Sequence, residues 1–333
     1  MRQIAIALTL ALSFITFSTQ ADQLVVYSTR KEQLLEPLIK AYQSKTGHTI
    51  KVVYDNEGPL LEKLKQEGPQ TPADVLLVVD AGNLWRAADL GLLLPLKSKV
   101  LEKNVPASLR DPQGQWFALT RRVRGIVYNP TKIKESELST YEDLADPKWK
   151  AKLCLRSSTK VYNQSLVAMM IERIGQEATK KVIEGWVKNL AVKVFSDDTS
   201  LIKAIENGPC QVGLVNSYYL GSLIKTNPQF SVKIFWPNQK TSGAHVNISG
   251  AGLIKTTKKQ KLAQSFLEWS VQEEAQKILS DINLEFPIQD SLVKELNPIL
   301  ASFGQFKADT LNLSTAGKRQ QEAVILMDSV GYQ

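Results

Sequence analysis

The stretch WFALTRRVRGIVY, residues 116–128, decides how the rest of the chain is divided. Its apolar residues cluster on either side of a basic centre, Arg121, Arg122 and Arg124, and Pro130 closes it, so it reads as two extended segments with no helix between them. Long extended segments of this kind suit a connection between two lobes better than another strand-helix crossover. Upstream, QLVVY (23–27), TIKVVY (49–54) and ADVLLVV (73–79) read as short apolar strands. Between them, residues 32–46 place Leu34, Leu35, Leu38, Ile39 and Tyr42 at helical spacing before Gly47, and residues 59–66 form a second helical stretch. A β-α-β-α-β run of this type implies a parallel sheet covered by helices, with ligands bound beyond the carboxyl ends of its strands.

Downstream the alternation restarts. Strands are expected at 152–156, 192–195 and 211–215, and helices at 164–174, 178–189 and 199–207. Extended segments at 231–236 and 247–254, a helix at 260–270 and a helical stretch at 311–327 complete the reading. The expected fold class is α/β, with two lobes that are each a mainly parallel sheet flanked by helices, joined by extended hinge crossovers. Residues 22–122 and 247–297 would form the N-terminal lobe, and 123–246 with 298–333 the C-terminal lobe. A ligand would lie in the cleft between them.

Composition supports a globular chain with two cores. It has 333 residues, 43% hydrophobic and 22% charged. The first 21 residues carry one early charge, Arg2, an apolar stretch from 4 to 17 and small residues up to Ala21, the layout of a secretory signal peptide cleaved near Ala21. The formal charge of +8 falls to +7 without Arg2, but no basic patch is interleaved with aromatics, so no nucleic-acid partner is expected. Cys154 and Cys210 are an even count in an exported chain, where a disulfide and two free thiols are both open readings. With no GxSxG, HExxH or Cys/His set and two histidines, His48 and His245, catalysis is not expected.

The chemistry-bearing signal is VNSYYLGS, residues 215–222. Tyr218 and Tyr219 follow an apolar strand, and Asn216 or Ser217 can cap a helix that begins there. On a strand, consecutive side chains diverge; at a helix start they lie about 100° apart and two phenols can converge on one point. Tyr162, in RSSTKVYNQS (156–165), occupies the same strand-to-helix position in the preceding unit. Phenols are poor metal ligands until a highly charged, hard cation displaces their proton, which a ferric ion does.

These blocks, with VVYSTRKE (25–32), TPADVLLVVDAGNLWRA (71–87), GLLLPL, DPKWKAKLCLRSS and SGAGLI, resemble the periplasmic ferric iron-binding proteins of ABC iron importers over nearly the whole mature chain. Such proteins are type II periplasmic binding proteins. The resemblance implies that Tyr218 and Tyr219, and in the branch with a third cleft tyrosine Tyr162, ligate Fe(III). It implies a synergistic anion such as carbonate held by the arginines of the RxR block, Arg122 and Arg124, with Ser157 and Ser158 as further donors. It also implies a monomeric soluble protein of the periplasm that delivers iron to an inner-membrane ABC permease. The first loop of the family supplies a histidine and, in this branch, a tyrosine; here Lys31 and Glu32 stand in those places. Glu32 is then either a replacement carboxylate ligand or an acidic residue of a first helical turn, and Lys31 either turns away or neutralises an anion. The alternative is the same fold binding an anion, an organic solute or an iron chelate through Lys31, Arg122 and Arg124. Asp80 reads as a residue behind the site or a helix cap, and His245 precedes a crossover that can approach the cleft.

Overall fold

The computed structural model describes residues 23–295 and 297–333; the signal peptide expected at 1–21 lies outside them. The chain begins with β1 (Gln23–Ser28), α1 (Glu32–Thr46), β2 (Thr49–Tyr54), α2 (Glu57–Glu67), β3 (Val75–Val79) and α3 (Ala81–Asp89), the expected β-α-β-α-β start. Helix α1 buries Leu35, Leu38, Ile39 and Tyr42 on one face and ends at Gly47, whose φ of 74° is the left-handed C-cap that glycine adopts without steric cost. A short β4 (Leu93–Leu94) and α4 (Lys99–Asn104) lead to β5 (Phe117–Tyr128). The stretch that opened the sequence reading is therefore one continuous strand of twelve residues, buried along its whole length.

Strand β6 (Leu153–Cys154), α5 (Val161–Ile174), α6 (Gln176–Asn189), α7 (Asp198–Asn207), β7 (Val212–Asn216) and α8 (Ser217–Thr226) form the second unit. The strand expected at 192–195 is absent; that segment contributes only single bridges, such as Arg156 to Phe195. Then come β8 (Lys233–Phe235), β9 (Val246–Ile254), α9 (Gln260–Ser270), α10 (Glu273–Asn283), α11 (Pro298–Ser302), α12 (Ser314–Lys318) and α13 (Gln320–Ser329).

The sheet order is β2-β1-β3-β9-β5-β7-β6, with β4 on β9 and β8 on β5. Pairing is parallel for β1 with β2, β1 with β3 and β6 with β7, and antiparallel elsewhere, so each lobe carries a mixed sheet. The antiparallel pairs exist because β5 and β9 run between the lobes in opposite directions. Strand β5 pairs with β9 up to Val123, opposite Val246, and with β7 from Arg124, opposite Asn216. The change of partner falls within one residue step.

Two cores follow from this layout. One runs from the first sheet under α1, α9 and α10 into the crossovers, and a second gathers Trp149, Trp186, Leu166, Ile183 and Met327 around α5, α6 and α13. In the second unit, β6 is also linked covalently to the segment just before β7, because Cys154 and Cys210 form a disulfide. Close approach there needs Gly213: a Cβ at that position would meet the Cys154 carbonyl oxygen at 2.9 Å and the Leu201 side chain at 2.6 Å.

Candidate functional site

Helix α5 starts at Val161, three residues earlier than its periodicity suggested, so Tyr162 stands in a first helical turn. Tyr218 and Tyr219 stand in the first turn of α8, behind Asn216 as N-cap. Both helix starts follow strands that are hydrogen-bonded to each other, which brings the three phenols to one wall. The partial positive charge of two helix N-termini lowers the cost of phenolates there.

The three rings are joined by arginines. The Tyr218 and Tyr219 ring centroids are 4.4 Å apart with planes inclined at 36°. Arg122, from β5, lies with its Cζ 4.8 Å from the centroid of both Tyr162 and Tyr218. Its Nη2 donates to Tyr162 Oη at 3.2 Å and to Tyr218 Oη. Arg156 donates through Nη1 to Tyr219 Oη at 3.4 Å and sits 5.2 Å from the Tyr162 centroid. Asn216 Nδ2 also donates to Tyr218 Oη, at 3.2 Å.

These charges divide the phenols. Burial raises the Tyr162 phenol, but the Arg122 charge and hydrogen bonds, with Arg156 behind, outweigh it and hold Tyr162 below the usual phenol range. Burial pushes Tyr218 well above that range and raises Tyr219, in both cases reinforced by the negative charge of Tyr162. Ionisation of one phenol makes ionisation of its neighbours harder, since a second anion would lie against the first.

Arg122 is held from behind. Its Nε lies 3.3 Å from Glu285 Oε1, and Glu285 also receives Arg30 Nη1 at 3.1 Å. Thr120 and Ser249 hydroxyls donate to the same carboxylate. Burial opposes ionisation of Glu285, but Arg30 and Arg122 hold it below the usual carboxylate range.

The cleft has a volume of about 780 Å³ and is lined from both sides, by Arg30 and Lys31 of the first loop and by Arg156, Tyr162, Tyr218 and Tyr219 opposite. Several candidates named from sequence do not line it. Glu32 is exposed as the first residue of α1 and is not part of the cleft wall. Ser157 and Ser158 belong to the turn before α5: Ser157 Oγ pairs with Thr159 Oγ1 at 2.9 Å, and the Ser158 N–H donates to the Gln333 carbonyl. Arg124 is 1% exposed and faces the C-terminal core, 3.6 Å from Asp198 Oδ2, with further hydrogen bonds to Asn163, Asn216 and the Leu214 carbonyl. It braces the tyrosine loops. His245 lines a separate cavity of about 570 Å³ beside Met169, Met170 and Asp309, and burial pushes it down to about 4, so it is neutral.

Asp80 is the N-cap of α3 and accepts from the Gly82 N–H at 2.8 Å, Ser165 Oγ at 2.8 Å and Asn247 Nδ2 at 2.7 Å. Three donors hold it in the left-handed region, φ 74°, which a non-glycine residue otherwise avoids. Arg156, Arg30, Lys160 and Glu285 carry much of the site's charge and were not singled out from sequence. Arg156 was legible as the residue closing a strand two positions after Cys154, whereas Glu285 had no linear signal.

Among the described residues no three His, Cys, Asp or Glu side chains are grouped to hold a metal ion. Residues 37–298 match the model of the bacterial extracellular solute-binding protein family. The chain belongs to that family. Iron uptake protein A1 of Synechocystis sp. is 40% identical over 94% of this chain and 88% of its own length. The structure of Trichodesmium FutA (IdiA) in complex with iron and citrate superimposes with a TM-score of 0.89 at 41% identity, covering 93% of this chain and all of that one. The ferric binding protein from Campylobacter jejuni gives 0.86 at 36% identity, over 93% of this chain and all of the other. The fold is thus two-lobed, with the three tyrosines lining its cleft.

Proposed function

We propose that this protein is the periplasmic solute-binding component of an ABC transporter, which captures Fe(III) in the interlobe cleft and delivers it to an inner-membrane permease. The observation that carries the reading is the convergence of Tyr162, Tyr218 and Tyr219 on the cationic groups Arg122 and Arg156. Three phenolates neutralise a ferric ion and supply hard anionic oxygen, the donor type such an ion prefers. Arg122, already donating to two phenol oxygens, favours their ionised forms and is placed to hold a synergistic anion such as carbonate. The names of the iron uptake and ferric-binding relatives support the same cargo. The reading assigns capture and release, with no catalytic turnover and a monomeric protein.

The lobes of this proposal are residues 22–122 with 247–297 and 123–246 with 298–333. The change of β5 partner between Val123 and Arg124 supports the first boundary, and the pairing of Val123 with Val246 supports the second. Loading the purified protein with ferric iron tests the function. A phenolate-to-iron absorption band should appear in the visible and weaken in Tyr218→Phe and Tyr162→Phe variants, with iron affinity reduced by 100-fold or more. A colourless loaded protein, unchanged by Tyr218→Phe, would overturn it.

A further inference from the structure

The cavity of about 570 Å³ beside His245 shares no lining residue with the tyrosine cleft. One wall is a face of α5, where Leu166, Met169, Met170, Arg173 and Ile174 recur at the spacing that puts side chains on one side of a helix. Arg173 and Ile174 are exposed at its rim, so the cavity opens to solvent. Met169 and Met170 are buried further along the same face.

His245 is held beside them by its backbone. Its N–H donates to Tyr141 Oη at 2.8 Å, and its carbonyl accepts from the Arg124 N–H at 3.0 Å. The ring is buried, and neither nitrogen has a hydrogen-bond partner among the described residues. Buried polar atoms are normally paired, and leaving two unmet on one imidazole carries a cost that a ligand would recover. Burial pushes His245 down to about 4, so the ring keeps a free lone pair in neutral and mildly acidic surroundings. The side chains set around that lone pair include two of the four methionines in the whole sequence.

Charge and donor type narrow the occupant. Glu142 and Asp309 line the cavity with Arg173, two carboxylates against one cation, which leaves one net negative charge. Asp309 is paired with Arg173, and Glu142 accepts from Asn238 Nδ2 at 3.0 Å, so both carboxylates already have partners. Among the described residues no three His, Cys, Asp or Glu side chains are grouped in the manner of a zinc site. A neutral imidazole with two thioethers is instead a soft donor set, the kind that selects Cu(I). Methionine is unbranched and turns about three side-chain bonds, which lets both sulfurs swing onto an ion held at the imidazole.

We propose that His245, Met169 and Met170 form a second metal site, separate from the phenols, for a soft monovalent cation of the Cu(I) class. The two sites differ in hardness, oxygen for the ferric ion and sulfur with nitrogen for the soft one. The assignment does not depend on the ferric reading of the cleft.

The test dialyses the purified apo protein against Ag(I), a redox-inert stand-in for Cu(I), in chloride-free buffer, and titrates it anaerobically with Cu(I) against bicinchoninate. Retention of one ion per protein is expected, with sulfur in its shell by X-ray absorption. Met169→Leu/Met170→Leu, which nearly conserves volume, and His245→Gln should each weaken Ag(I) binding by about 30-fold or more and leave ferric uptake unchanged. Because the imidazole is already neutral, affinity should fall by under about twofold from pH 7 to 5.5, where an ordinary exposed histidine would lose roughly eightfold. A parent that retains no Ag(I), a bound ion without sulfur in its shell, or a double leucine variant that binds as the parent does would overturn the proposal. The sulfur measurement is made on the parent, so it holds whether or not the variants fold.

Discussion

Arg122 Nε lies 3.3 Å from Glu285 Oε1, so the guanidinium that touches two cleft tyrosines is fixed by a carboxylate more than 160 residues away in the chain. Glu285 serves Arg30 as well, and all three side chains are buried. Removing the carboxylate charge leaves two buried cations unpaired. Glu285→Gln should lower the unfolding free energy by about 3–5 kcal/mol, measured by urea denaturation of the apo protein. A change under about 1 kcal/mol would show that solvent reaches these arginines.

Arg124 and Arg122 should separate cleanly when each is replaced by methionine. Arg124 contacts Asp198, Asn163 and Asn216 and no cleft surface, so its loss should cost about 3 kcal/mol of stability while the folded variant keeps the position of its iron absorption band. The Arg122 variant should shift that band, since this arginine donates directly to phenol oxygens.

Acid should act on two buried groups with opposite sign. His245 falls from 6.5 to about 4 on folding, so the unfolded chain takes up the proton first and stability declines as pH drops through that window. Asp80 rises from 3.8 to about 6, chiefly through burial, so the folded state holds the proton first and gains stability as pH falls from about 6 to 4. At about 1.4 kcal/mol per unit, each effect is on the order of 3 kcal/mol and the two nearly cancel. A His245→Gln variant should therefore gain about 3 kcal/mol relative to the parent between pH 6.5 and 4, followed by urea denaturation at each pH. An unchanged difference would show that His245 takes up its proton as readily in the folded protein as in the unfolded chain.

The Cys154–Cys210 bond spans 56 positions and joins the strand before the Tyr162 turn to the segment before the Tyr218 strand. Closing a loop of that length restricts the unfolded chain by about 4 kcal/mol. Reduction, or Cys154→Ser with Cys210→Ser, should lower stability by about 2–4 kcal/mol in guanidinium titrations.

The sequence by itself placed the phenols, because the switch from apolar strand to capped helix is a local event written in VNSYYLGS and in the block around Tyr162. The two-lobe plan was legible for a similar reason: a long extended segment without a helix has few places to go except between lobes. Only tertiary structure decided which arginine lines the cleft. Arg122 and Arg124 share one face of an ideal strand, yet β5 exchanges β9 for β7 between them, so one guanidinium faces the cleft and the other enters the core. Glu285 and Arg30 meet across 255 positions, and no local pattern encodes a contact made by chain crossing. The first loop behaves likewise: the departure at Lys31 and Glu32 was visible in the letters. That the lysine lines the cleft and the glutamate lies outside its wall was fixed by the start of α1, whose first turn orients the two residues differently.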